Sequence, residues 1–148
     1  MTLRLVILES PYAGNVTANV AYARKALADS LARGEAPIAS HLLYTQPGVL
    51  NDTNPVERAL GMAAGLAWSA VAVGAVFYVN FGWSRGMKAA RAHYGAIGLP
   101  IEERRLDLGM TADEARRAEA GREDWRADSW QDHCGNPDCE QCTGDIPS

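Results

Sequence analysis

The apolar residues of the chain fall into short continuous runs that are separated by longer stretches with helical spacing. Residues 3–8, LRLVIL, form an apolar run of the length that buried strands have. Four apolar residues then recur at helical spacing and predict one helix: Val16, Val20, Leu27 and Leu31. Asn15 or Thr17 can cap the start of this helix, and Gly34 can end it.

The middle of the chain repeats the order of strand, loop and helix. Residues 36–44, APIASHLLY, predict a second short strand and its exit, and the turn formers of TQPGVLNDTNP predict a loop. The sequence Asn54-Pro55-Val56-Glu57 is typical of a helix start, with Asn54 as the cap and Glu57 closing a capping box. We expect this helix to run to about Val73.

Two more strands and two more helices are predicted in the rest of the chain. AVFYVN at 75–80 is the third strand, a helix runs from Arg85 to Ile97 until Gly98 stops it, and LPIEERRL is the fourth strand. Thr111 and Glu114 form a second capping box, which opens a charged C-terminal helix. Strands that alternate with helices predict an α/β fold with right-handed crossovers and a mostly parallel sheet of four or five strands.

This arrangement predicts two regions and one place for a ligand. We expect an α/β domain over residues 1–108 and, over 109–148, the charged helix and a polar tail with cysteines. Ligands of open parallel sheets bind beyond the carboxyl ends of the strands. Residues 9–15, 40–52 and 80–87 follow strands and are predicted to meet there.

Composition and charge exclude several classes of protein. Hydrophobic residues make up 47% of the chain, which is enough for a buried core, and the formal net charge of −4 argues against duplex nucleic acid as a partner. Residues 59–81 carry no charge, and Gly61 and Gly65 resemble a packing motif of membrane helices. A buried alanine-rich helix followed by a buried strand explains the same residues, and we favour it. Without a secretory signal, we expect a cytoplasmic protein.

The turn before the predicted helix at 85–97 is the first candidate site. Gly82, Ser84 and Gly86 let backbone amides point outward at a helix N-terminus, where the helix dipole favours an anion such as phosphate. The candidate site extends to Met87. Alternatively, Ser84 only caps the helix and the glycines only make a tight turn. The spacing matches neither known phosphate-binding glycine pattern, so both interpretations stay open.

The segment after the first strand is the second candidate. Glu9 can act as an acid or base, and Tyr12 can hydrogen-bond a sugar or a leaving base. Ser10, Pro11 and Gly14 complete this predicted wall of the pocket. In the alternative interpretation, proline and glycine shape the turn and the tyrosine ring only packs.

Further polar residues come from the middle of the chain. His41 follows a strand, although a lone histidine is often structural. Asp52 and Glu57 can serve as paired carboxylates, but turn formation and helix capping also explain them. Arg58 can clamp a phosphate or pair with an acid.

The tail contains four residues of the kinds that bind zinc: His133, Cys134, Cys139 and Cys142. They suffice for one tetrahedral structural zinc, although adjacent residues such as His133 and Cys134 seldom both reach one metal. Mobile reduced thiols are the alternative. The odd number of cysteines, three, suits a reducing cytosol rather than a disulfide framework.

Several segments together resemble the nucleoside 2-deoxyribosyltransferase-like group, which includes the 2'-deoxynucleoside 5'-phosphate N-hydrolases. They are LVILESPYAGN, PIASHLLYTQPGVLND, PVERALGMAAG and FGWSRGMKAARAHYGAIGLPI, within roughly residues 3–106. The chain is most similar to small uncharacterised bacterial and phage proteins of this build. The resemblance implies a flavodoxin-like three-layer sandwich, usually oligomeric, whose enzymes cleave or exchange an N-glycosidic bond. We therefore expect a homo-oligomer.

The resemblance also implies roles for individual residues. Ser84 and Gly86 match the serine and glycine that hold the 5'-phosphate in the hydrolases, and Tyr12 matches the aromatic residue beside the sugar. The enzymes carry a nucleophilic glutamate in the same helix, but Ala90 stands in its place here, and the preceding GLAWSAVAVG lacks their aspartate. Without the nucleophile, the covalent glycosyl-enzyme route is not available.

The sequence therefore predicts a protein that binds a nucleotide or a nucleotide-derived ligand. Phosphate is expected on the turn at 82–87, the sugar near Pro11, Tyr12 and Gly14, and the base near His41 and Asp52. Glu9, Asp52 or Glu57 can supply acid–base chemistry for N-glycosidic hydrolysis. The alternatives are an inert nucleotide sensor or sequestering module, and a scaffold whose cysteine tail docks a partner. The α/β domain itself needs no cofactor.

Overall fold

A computed structural model describes residues 2–109 of the protein. Four strands alternate with four helices in this part of the chain. They are β1 (Arg4–Glu9), α1 (Val16–Ala32), β2 (Glu35–Ile38), α2 (Ser40–Leu43), α3 (Pro55–Ala67), β3 (Gly74–Tyr78), α4 (Arg85–Ala96) and β4 (Ile101–Arg104). The predicted α/β class is confirmed.

The strands form one sheet in the order β2-β1-β3-β4, and every neighbouring pair is parallel. This is the strand order of flavodoxin-like folds. Val6 of β1 pairs with Gly74 of β3, and Leu5 pairs with Ala36 of β2. The described sheet is thus entirely parallel, as expected for strands that helices cover on both faces.

The two faces of the sheet carry separate hydrophobic clusters because successive side chains of a strand point to opposite sides. Val6 and Leu8 pack with Tyr22 of α1 on one face. Ile7 packs with Met87 and Tyr94 of α4 on the other. The three layers of the flavodoxin-like sandwich are therefore α1, the sheet, and the helices that include α4.

Helix α1 was predicted correctly, but its buried face differs from the apolar stripe. Val16 and Leu31 are exposed, whereas the buried positions are Asn19, Tyr22, Ala23, Ala26 and Ser30. Asn19 donates through Nδ2 to the carbonyl oxygens of Tyr12 and Ala13 at 2.9 and 3.0 Å. Small alanines allow close packing, and the buried polar groups have partners, so burying this face costs little.

The uncharged stretch divides as expected, but its helix is shorter than predicted. Helix α3 ends at Ala67 rather than near Val73, and a 3-10 turn covers Trp68–Ala70. Val73 then donates its amide to the carbonyl of Leu5 at 2.8 Å, so the chain has already joined the sheet. Among the described residues, no helix is long and apolar enough to cross a membrane.

A buried ion pair, absent from the sequence predictions, joins the first and last strands of the sheet order. Arg104 of β4 donates to both carboxylate oxygens of Glu35 of β2, at 2.6 and 2.8 Å. Ser30 donates to the same carboxylate at 2.8 Å, and Arg104 also donates to the Tyr78 hydroxyl at 3.2 Å. The arginine holds the pKa of Glu35 down, at about 2, against the opposing effect of burial.

Candidate functional site

A cavity lies at the carboxyl ends of β1 and β3, at the switch point of the sheet. These strands are neighbours, yet the helices that follow them, α1 and α4, lie on opposite faces. Such a switch point leaves a crevice in which open α/β sheets bind ligands. The three segments predicted to converge all contribute residues to the cavity wall.

Most of the residues selected from the sequence line this cavity: Glu9, Ser10, Tyr12, His41, Asp52, Glu57, Arg58, Ser84, Gly86 and Met87. Pro11, Gly14 and Gly82 are not part of the wall. Pro11 is fully buried, and Gly14 and Gly82 have φ angles of 96° and 78°, which favour glycine. These three residues shape the turns that carry the site.

The turn before α4 shows that Ser84 caps the helix. The Ser84 Oγ atom accepts from the Met87 amide at 3.2 Å, and the Ser84 amide points at the Met87 sulfur at 3.5 Å. These two amides are therefore not free for an anion. The cap uses the serine oxygen only as an acceptor, so its hydroxyl hydrogen can still be donated to a ligand. The Gly86 amide, in the first turn, has no acceptor within residues 2–109.

An ion pair lies beside this helix start. Arg58 donates through Nη1 to Asp52 at 2.9 Å, and both side chains are largely buried. The Arg58 Nη2 atom lies 3.7 Å from the point that a Cβ on Gly86 would occupy. Burial raises the pKa of Asp52, although Arg58 opposes the shift. Asp52 thus fixes the guanidinium where it borders the first turn of α4.

Helix α3 positions this arginine through the predicted cap, but the predicted capping box is wrong. The Asn54 side chain accepts from the amides of Val56 and Glu57 at 3.0 and 3.2 Å. The Asn54 amide donates to the Asn51 carbonyl at 3.0 Å. The Glu57 side chain therefore does not accept the hydrogen bond from the Asn54 amide that a capping box requires. The Glu57 side chain instead belongs to the cavity wall.

Glu9, the last residue of β1, brings a carboxyl group into the cavity from the sheet. Tyr94, which is fully buried, donates its hydroxyl to Glu9 Oε1 at 2.8 Å. Burial raises the pKa of Glu9 to about 7, although the Tyr94 hydrogen bond opposes the shift. Burial, followed by the effect of Glu9, raises the pKa of Tyr94, so its hydroxyl stays protonated.

Ser10 and His41 form a second polar pair in the wall. The Ser10 Oγ and His41 Nε2 atoms are 2.7 Å apart. Burial lowers the pKa of His41 to about 4, so the imidazole is neutral at physiological pH. His41 Nδ1 is buried and has no hydrogen-bond partner among the described residues. His41 therefore enters the wall as a neutral ring that is held by Ser10.

The sequence predicted His41, Glu57 and Arg58 of α2 and α3 as site residues, but other residues of the wall were missed. The missed residues of the wall are Ala13, Ser40, Tyr44, Thr45, Leu50, Gly61, Met62, Gly65 and Leu66. The spacing of Gly61 and Gly65 was noticed in the sequence, but only as a feature of membrane helices. Here it allows close approach, because a Cβ on Gly65 would lie 2.9 Å from Ser40 Cβ and would also meet Ser40 Oγ. Gly65 therefore keeps α2, with His41, close to α3, and Gly61 makes room for Leu50, whose Cδ1 would lie 3.3 Å from an added Cβ.

We expect Gly65→Ala to destabilise the protein by roughly 1–3 kcal/mol, because the added methyl group meets the Ser40 Cβ, which cannot rotate away. Gly95→Ala in α4 is the matched control, since nothing lies within 4 Å of its added Cβ. The control should stabilise the fold by about 0.5–1 kcal/mol through helix propensity. Urea unfolding of both variants provides the measurement. If the two variants changed the free energy of unfolding equally, α2 and α3 could move apart without a loss of stability.

Two predictions lie outside the described residues. They are the zinc ligands His133, Cys134, Cys139 and Cys142, and the capping box of Thr111 and Glu114. Within residues 2–109, no group of three or more histidine, cysteine, aspartate or glutamate side chains could hold a metal ion. The tail zinc remains a prediction.

Comparison with known proteins gives one match. Residues 4–104 match a family model described as Domain of unknown function (DUF7768). The matched region begins with β1 and ends with β4, so it includes the whole sheet and the cavity. No curated protein and no solved structure matches the chain.

Proposed function

The chain belongs to the DUF7768 family, whose description assigns no activity, and we propose from the cavity that it binds a nucleoside 5'-monophosphate. The observation that carries the proposal is the Arg58 guanidinium beside Gly86, at the start of α4 and at the switch point of the sheet. An arginine and a helix N-terminus on one wall form a site for a phosphate group.

Three kinds of donor are available to such a phosphate. Arg58 supplies charged donors, Gly86 supplies a backbone amide, and Ser84 supplies its hydroxyl hydrogen. Helix α4 has 12 residues, and its dipole adds positive potential at this end. The charge of Asp52 is balanced by Arg58, so the pair adds no net negative charge beside the start of α4.

The rest of the cavity suits a sugar and a base. Tyr12 and Tyr44 offer aromatic faces and hydroxyl groups, and Leu50 and Met62 offer apolar surface. The neutral His41 lines the same cavity and is paired with Ser10 through Nε2. Apolar walls with a few placed polar groups are typical of small-molecule sites.

Hydrolysis of the N-glycosidic bond is a second candidate function, and Glu9 favours it. Ala90 lines the cavity and brings no carboxylate from α4. Tyr94, one helical turn later, instead holds the carboxyl group of Glu9, which enters from β1. A carboxyl group with a pKa of about 7 is suited to act as a general acid near neutral pH. In this candidate function Glu9 supplies the acid from β1, and Asp52 and Glu57 are the other carboxyl groups of the wall.

The binding proposal predicts a large effect of Ser84→Asp. Aspartate is as good an N-cap as serine, so α4 should still form, but its charge would lie where the phosphate binds. Like charges at a binding site cost several kcal/mol, so affinity for deoxynucleoside monophosphates should fall at least about 100-fold.

Calorimetric titration with four deoxynucleoside monophosphates and the matching nucleosides is the measurement. Binding of the nucleosides, which lack the phosphate, should be nearly unchanged in Ser84→Asp. Ser84→Ala is a further control, since it removes one hydroxyl without adding charge. If the aspartate variant binds monophosphates as tightly as the wild type, the phosphate site is not at this turn.

A further inference from the structure

Glu9 is held by one of its two carboxylate oxygens. Oε1 accepts the Tyr94 hydroxyl at 2.8 Å, whereas Oε2 makes no hydrogen bond with any described residue. Tyr94 is fully buried between α4 and the sheet, so its hydroxyl is a fixed donor. The carboxyl group is therefore oriented, and Oε2 is the oxygen left for a molecule in the cavity.

The surroundings of Glu9 favour its neutral form. Tyr94 faces it from α4, and the loop after β1 contributes Ser10 and Tyr12 to the same wall. Burial raises the pKa of Glu9, and the Tyr94 hydrogen bond opposes the shift. The other acidic and basic side chains of the wall are Asp52, Glu57 and Arg58. His41 from α2 is neutral. No cation of the described chain thus stabilises the carboxylate.

A proton on Glu9 is placed on Oε2 by this geometry. Oε1 accepts from Tyr94 and so behaves as the carbonyl oxygen, and the protonated carboxyl group then has one donor, on Oε2. Glu9 lines the cavity, so a ligand that offers an acceptor to Oε2 is favoured over one that does not.

We propose that Glu9 meets its ligand as a neutral carboxylic acid and donates the Oε2 hydrogen to an uncharged acceptor, such as a ring nitrogen or a carbonyl oxygen of a base. The inference rests on the cavity of the proposed function, but not on its phosphate site. It adds that ligand binding is coupled to a proton: affinity is highest when Glu9 is protonated and falls as it ionises.

The proposal predicts a pH dependence of known sign. With a pKa of about 7 for Glu9, affinity should be constant at acidic pH and fall roughly tenfold per unit above neutrality. Glu9→Gln keeps a donor at this position and cannot ionise, so its affinity should stay near the acidic value at every pH. Tyr94→Phe removes the hydrogen bond that lowers the pKa of Glu9, so the fall should move to higher pH.

Calorimetry with 2'-deoxyadenosine tests this without a phosphate that titrates in the same range. Titrations in two buffers with different ionisation enthalpies should show uptake of nearly one proton per ligand at alkaline pH in the wild type, and none in Glu9→Gln. The 3-deaza and 7-deaza analogues each lack one ring-nitrogen acceptor, and we expect one of them to bind about tenfold or more weakly. Loss of binding in Glu9→Gln at every pH would overturn the proposal, because it would show that Glu9 acts as a carboxylate.

Failure of the proposed function is distinguishable from failure of this inference. A protein that binds neither deoxyadenosine nor any monophosphate would overturn the proposed function. The protonation of Glu9 can still be measured in the ligand-free protein, by carbon-13 NMR titration of its carboxyl group with Glu9→Gln as the assignment control. Ionisation near the ordinary glutamate value of about 4.3 would overturn the inference whatever the ligand is.

Discussion

Glu35→Ala is expected to lower the free energy of unfolding by about 3–5 kcal/mol, because it removes the buried counter-charge of the Arg104 guanidinium and leaves only the exposed Glu102 paired with it. The two side chains are 1% and 4% exposed and are joined by a bidentate ion pair. Urea unfolding provides the measurement. Glu103→Gln is the matched control, since the Arg91–Glu103 pair is about half exposed and should contribute less than about 1 kcal/mol.

The double variant Glu35→Leu, Arg104→Met removes both charges at once, whereas Glu35→Ala removes only one partner of the pair. Apolar side chains of similar volume often replace a buried ion pair without loss of stability, so this variant should be much more stable than Glu35→Ala. If Glu35→Ala is no less stable than the Glu103→Gln control, the buried pair does not hold the sheet together.

The Glu35–Arg104 ion pair also makes the free energy of unfolding depend on pH in the acid range. The pKa of Glu35 is lowered to about 2 in the folded protein, from an ordinary value of 4.5. Its stabilising contribution is therefore fully present above the unfolded value and is lost as pH falls from 4.5 towards 2. Glu9 has the opposite sign: its raised pKa destabilises the fold as pH rises from 4.5 through about 7.

Glu9→Gln has the second large expected effect, on catalysis. If the cavity hydrolyses deoxynucleoside monophosphates, this variant should release free base about 10²–10⁴-fold more slowly while still binding the ligand. In the reaction, Glu9 gives its proton to the leaving base as the C1'–N bond breaks. Water adds to C1' and returns a proton to the Glu9 carboxylate, so the enzyme is regenerated. Chromatography of the released base measures the rate.

A transfer of the carboxyl group provides the control. Glu9→Ala combined with Ala90→Glu moves the group from β1 to α4, on the same cavity wall, and should recover part of the base release. Ala90→Glu alone buries two carboxyl groups together and should destabilise the protein. Equal base release by wild type and Glu9→Gln would assign the chemistry to another group, and no release by either would leave a binding protein.

Local signals in the sequence were sufficient for the elements of the fold. Gly34 and Gly98, with φ angles of 80° and 74°, follow the ends of α1 and α4 as predicted. Asn54 caps α3 as predicted. These features depend on residues within one turn of each other, which is why the strand and helix order could be predicted without knowledge of the packing.

The candidate site was predicted in part for the same reason. Parallel strands end at one edge of the sheet, so the segments containing Glu9, His41 and Ser84 had to meet. Glu57 and Arg58 of α3 were predicted, but Gly61 and Gly65 of the same helix were missed because glycines carry no chemistry of their own. These glycines are important because residues outside α3 pack closely against them, and such a distance cannot be read from the sequence.

The sequence by itself determined the α/β elements, the parallel sheet and the edge where a ligand would bind, because hydrophobic periodicity and turn residues act locally. The tertiary structure decided which face of α1 is buried, that Ser84 caps α4, and that Glu9 pairs with Tyr94, 85 positions away. It also shifted the pKa values of Glu9 and His41. A pKa depends on burial and on partners brought together by folding, so no residue pattern along the chain could supply it.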